Sequence, residues 1–140
     1  MAFLTDEQYA LLRSDPSQIV NIFDEVRTQF VAALNLPPMD EDALIAAFCA
    51  VVAYGAAPYG TEPGSTSINV LLNASSLACD DYVTLTWELM QAAGVSTDNQ
   101  VAVGWDGGAI ANHAQILVSV NGTNLLLDPT IGLVVVTKIS

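Results

Sequence analysis

The sequence predicts an α+β domain: N-terminal helices, then a Cys-bearing central helix packed on an antiparallel sheet. Three observations predict this class. Hydrophobic residues make up 52% of the 140-residue chain and charged residues only 13%, a composition that builds a core. The first part carries apolar residues at three- and four-residue spacing behind helix-start signals. From Gln100 onward the chain turns to short runs rich in Val, Leu and Ile, separated by turn residues. A chain of this length buries roughly two-thirds of its unfolded surface. The expectation is therefore one domain over 1–140, with a helical part and loop over 1–67 and the Cys helix and sheet over 68–140.

The first helix starts at Thr5-Asp6-Glu7-Gln8, a capping box in which Thr5 and Gln8 satisfy each other's backbone N–H groups. Asp15 before Pro16 starts a second, from about Pro16 to Leu34, whose residues Ile19, Ile22, Phe23, Val26, Phe30, Ala33 and Leu34 form one apolar stripe. Pro37-Pro38 ends it. Asp40-Glu41-Asp42 opens a third helix, to about Tyr54, that is apolar nearly all round and so belongs at the centre. Gly55 to Ser67 is turn-forming and aperiodic, a loop placed to border a functional cleft. After the short apolar run Ile68 to Leu72, a helix should extend to about Ala93. Its expected cap is Ser75 or Ser76 and its stop Gly94, with Cys79 in the first turn. Strands are expected at Gln100 to Trp105, Asn112 to Val120, Thr123 to Asp128 and Leu133 to Lys138.

Fifteen acidic residues against three basic ones give a net charge of −12, which repels nucleic acid and anionic membrane alike. No stretch has the n-region and h-region of a signal peptide or the length of a membrane span, so the expected location is the cytoplasm. The two cysteines are too few for a disulfide scaffold, and no Cys/His spacing suits zinc. Neither a metal nor an organic cofactor is expected.

Cys49, in Ala46-Ala47-Phe48-Cys49-Ala50-Val51-Val52, behaves as a small core hydrophobe. Cys79 differs, because free N–H groups and the dipole at a helix start favour the thiolate that a nucleophile needs. A base must then be near, and the chain has one histidine, His113. Asn121-Gly122 between two strand-like runs predicts a two-residue hairpin with Val120 opposite Thr123. That register sets Gln115 opposite Asp128 and His113 opposite Thr130. His113 and Asp128 then share a face as diagonal neighbours, within reach of a carboxylate–imidazole hydrogen bond. Trp105, Asp106, Gly107 and Gly108 form a turn before the His strand that is placed to line a cleft, while Asp80 and Asp81 serve the helix start.

These residues carry a resemblance. Cys79-Asp80-Asp81-Tyr82 opening a helix that ends in Gln91-Ala92-Ala93-Gly94-Val95, then Asn112-His113-Ala114, then Leu127-Asp128-Pro129-Thr130-Ile131-Gly132, resembles the core of the papain-related, transglutaminase-like superfamily. The resemblance implies a catalytic triad of Cys79, His113 and Asp128. Where family members commonly have a Gly shortly before the Cys, this chain has Ser76-Leu77-Ala78; where they carry an aromatic residue two after the His, it has Gln115. Papain-related enzymes place an oxyanion-donating Gln six residues before the nucleophile, and that position here is Asn73. The implied activity is thiol-dependent acyl transfer on a peptide or protein amide, by a cysteine peptidase or amidase. The same chemistry serves a deamidase or a crosslinking transglutaminase, and the rival is a non-catalytic component of a larger assembly that keeps the fold.

Overall fold

The computed structural model describes residues 3–61, 63–97, 99–105 and 113–139. Helix α1 (Asp6–Ser14) begins with the expected capping box, Gln8 N–H donating to Thr5 Oγ1 at 3.1 Å and Thr5 N–H to Gln8 Oε1 at 2.9 Å. Asp15 caps a single 3-10 turn, Pro16–Gln18, which leads straight into α2 (Ile19–Leu34). The helix stops at Asn35, which takes a left-handed conformation at φ 52°, ahead of the two prolines. Asp40 Oδ2 accepts the N–H groups of Asp42 and Ala43 to start α3 (Glu41–Ala56).

Helix α3 is the centre of the molecule. Every residue from Ala43 to Ala53 is buried, as its all-round apolar sequence requires. One side meets α2, where Phe48 lies 5.1 Å from Phe23 and 5.2 Å from Phe30, centroid to centroid. Other sides meet α5 and the sheet. The apolar run Ile68–Leu72, given no element from sequence, is a five-residue helix, α4. Helix α5 (Cys79–Ala92) stops at Gly94, φ 75°.

Among the described residues the sheet is a four-stranded antiparallel meander in the order β1 (Asn99–Trp105), β2 (His113–Val120), β3 (Thr123–Asp128) and β4 (Leu133–Lys138). Strand boundaries agree with the sequence to a residue, and Asn112, expected to open β2, lies outside the described residues. Val120 pairs with Thr123 and Ile116 with Leu127, the register that the turn predicts. Asn121 and Gly122 both have positive φ, 49° and 84°, as a type I′ turn demands. The turn is also tied to the helices, because Asn121 Nδ2 donates to Asp40 Oδ2 at 3.0 Å. Ile116, Val118, Leu125 and Leu127 are buried in the core, so by alternation His113, Gln115 and Asp128 share the other face. Among the described residues no helix is long and apolar enough to cross a membrane.

Candidate active site

Cys79 is the first residue of α5, a thiol outside any disulfide in a residue only 8% exposed. The helix begins later than the serines suggested. Leu77 is held extended by the preceding loop, donating its N–H to Pro58 O at 3.0 Å and accepting from Gly60 N–H at 2.9 Å. Ser76 Oγ donates to Thr61 O at 3.1 Å. These long-range bonds keep residues 76–77 out of the helix, so the cap position falls on Ala78, which has no side-chain acceptor. Asp81 takes part of that role, its carboxylate accepting the Ala78 N–H at 3.0 Å. Asp81 is 3% exposed, and burial first, with neighbouring Asp80 adding to it, raises its carboxyl above the ordinary value although the Ala78 bond pulls the other way.

His113 opens β2 and Asp128 closes β3, so both stand at the same end of the sheet. His113 Nε2 lies 2.7 Å from Asp128 Oδ2, the diagonal contact that the hairpin register predicts. The histidine side chain is 19% exposed and the aspartate 2%. A buried carboxylate at that distance holds the proton of a neutral imidazole on Nε2, which turns Nδ1 into the ring's acceptor. Gln115 Nε2 donates to the same Oδ2 at 2.9 Å. Gln115, which the hairpin register sets opposite Asp128 and which departs from the aromatic pattern, is thus a second anchor of Asp128. The signal was present in the 115–128 cross-strand pairing, but the reach of a Gln side chain is set by its rotamer. Helix α5 packs directly on β2, which links the element carrying Cys79 to the strand carrying His113.

Asn73 lies at the C-terminal end of α4, exposed, with its Nδ2 donating to Asn69 O at 2.7 Å. Asp106, Gly107 and Gly108 of the expected cleft turn, and the side chain of Trp105, lie outside the described residues. Cys49 is fully buried in α3, and burial pushes its thiol well above the ordinary range. Tyr82 is 1% exposed and Trp87 is partly buried against the core, as packing residues. Among the described residues no group of three or more His, Cys, Asp or Glu side chains gathers as a metal site.

A helix that begins with a cysteine, packed on an antiparallel sheet that pairs a histidine with an aspartate across a hairpin, makes an α+β domain. The model of the transglutaminase-like domain matches residues 59–138, more than half of the chain, and the protein belongs to that family. No curated protein and no solved structure matches it. The match takes in the loop before α4, the α5 helix and all four strands.

Proposed function

We propose that the protein is a thiol-dependent acyl-transfer enzyme of the cysteine peptidase or amidase type, with Cys79, His113 and Asp128 as its triad. The observation that supports this most is the 2.7 Å bond from His113 Nε2 to a buried Asp128, which orients the ring and leaves Nδ1 to serve the thiol. Cys79 Sγ gives its proton to Nδ1 and attacks the amide carbonyl carbon. A C–S bond forms and the carbonyl π pair moves onto oxygen. The backbone N–H of Cys79 is the principal oxyanion donor. Asn73 is the second proposed donor; one of its amide hydrogens is spent on Asn69 O, and the other would serve. As the pair returns from oxygen the C–N bond breaks, and the leaving amine takes the proton from Nδ1. His113 then draws a proton from water, which attacks the thioester and releases the acid and the thiol.

Resolution of the thioester by a lysine amine would make the same site a crosslinking enzyme, and attack on a glutamine side chain a deamidase. The low exposure of Cys79 favours a different reading, a non-catalytic component that retains the fold. Alkylation separates them. Iodoacetamide near neutral pH should label Cys79 much faster than Cys49, which burial keeps protonated. His113→Ala should slow labelling of Cys79 while the far-ultraviolet spectrum stays unchanged. A thiol at Cys79 that resists alkylation, or reacts without regard to His113, would move the protein to the non-catalytic class.

A further inference from the structure

The loop after α3 is fastened to the residues that lead into Cys79. Its parallel bridge from Tyr59 to Leu77 holds residues 58–60 against the start of α5. Gly60 comes so close that an added Cβ would stand 2.7 Å from the Cβ of Ser76, so only glycine permits this approach without a shift. Beside the bridge lies a cavity of about 370 Å³ whose lining includes Tyr54, Tyr59, Tyr82, Thr130, Ala57 and Pro58. Tyr82 follows Cys79 by three residues on α5 and Thr130 follows Asp128 by two, so the lining draws on the chain segments next to both arms of the site.

Its walls have a consistent chemistry. Tyr82 Oη donates to Ala57 O, which fixes that ring in the wall. Burial, and then the Tyr54 and Tyr59 phenols, push the Tyr82 phenol up. The Tyr54 ring is held against Gly132, where a Cβ would meet it at 3.0 Å, and Tyr59 stands at the rim, 65% exposed. Thr130 Oγ1 is buried without a hydrogen-bond partner among the described residues. Among the described residues no basic side chain lines the cavity. Of the three in the chain, Arg27 pairs with Glu41, Arg13 donates to Leu72 O, and Lys138 ends β4.

We propose that this cavity is a subsite for a cationic side chain, lysine or arginine, of a peptide whose neighbouring amide carbonyl is presented to Cys79. Electron-rich ring faces attract a cation, and phenol and threonine oxygens accept its N–H groups. The net charge of −12 adds a field that draws cations in and repels a carboxylate. The place of this subsite in a reaction rests on the reading of Cys79 as nucleophile; the binding does not.

Binding is therefore measured in a Cys79→Ala variant, which cannot turn over. Capped pentapeptides with lysine, norleucine or glutamate at the centre of an alanine background are titrated and followed by amide chemical shifts. The lysine peptide should bind on the order of tenfold tighter than the norleucine peptide, and the glutamate peptide most weakly. Tyr59→Leu, which leaves the backbone bridge in place and changes a side chain that is 65% exposed, should remove most of the lysine preference. Equal binding of lysine and norleucine, a preference untouched by Tyr59→Leu, or no binding of any peptide at millimolar concentration would overturn the subsite. A lysine preference together with an alkylation-resistant Cys79 in the unmodified protein would sink the catalytic reading and leave the subsite standing.

Discussion

Two donors converge on one oxygen of Asp128, His113 from the diagonal position and Gln115 from directly across the hairpin. A single bond would leave the buried carboxylate free to swing about its χ2; two hold it under the imidazole. Replacing Gln115 with Ala should therefore cost about 1.5–3 kcal/mol, the range for a hydrogen bond to a charged group, in urea unfolding. It should also slow alkylation of Cys79, because an imidazole on a looser carboxylate spends less time aimed at the thiol. Full stability and unchanged labelling in that variant would show that Gln115 takes no part in holding the site.

Helix α5 starts without a side-chain acceptor at its cap, and it pays with a buried acid one turn in. The folded state raises the carboxyl of Asp81 above the ordinary 3.8, chiefly through burial. A group that binds its proton more tightly when folded adds stability only while it is protonated. That stability is complete below pH 3.8 and is lost as pH rises through the folded value, so ionised Asp81 weakens the fold at neutral pH. Asp81→Asn keeps an oxygen for the Ala78 N–H and removes the charge. It should unfold at a higher temperature than the parent at pH 7, with the difference shrinking towards pH 3; a variant equally or less stable at pH 7 would refute the assignment. The hairpin of β2 and β3 has the opposite character, since its turn residues suit its geometry without strain and Asp40 ties it to α3.

The family match begins at residue 59, yet the site depends on what precedes it. Helix α3 packs against α5 and against β2, β3 and β4, so it is the common support of the thiol helix and the His–Asp strands. Phe48 anchors α3 to α2 between Phe23 and Phe30, all three fully buried. Phe48→Ala should cost about 3–5 kcal/mol in chemical denaturation, by lost burial and the cavity left behind. At a temperature where the variant is still folded, Cys79 labelling should match that of the parent, because Phe48 packs against the phenylalanines of α2. A change in labelling would instead tie the helical half to the geometry of the site.

Local chemistry decided much of this molecule in advance. The capping box at Thr5, the all-apolar α3, the stop at Gly94 and the Asn121-Gly122 turn each act over a few residues, and the structure follows them. The hairpin register carried the His113–Asp128 contact with it, because a two-residue turn leaves one pairing and strand alternation does the rest. Tertiary structure decided what depends on segments distant in the chain. Leu77 is drawn into a bridge with the loop at 58–60, which moves the start of α5 past the serines and makes Cys79 its first residue. The five-residue α4 is too short for periodicity to reveal and is held by its packing against α5. Gln115 found Asp128 by a rotamer choice, and the tyrosine cavity arose from three chain segments meeting, since sequence spacing limits only contacts that are local or tied by a short turn.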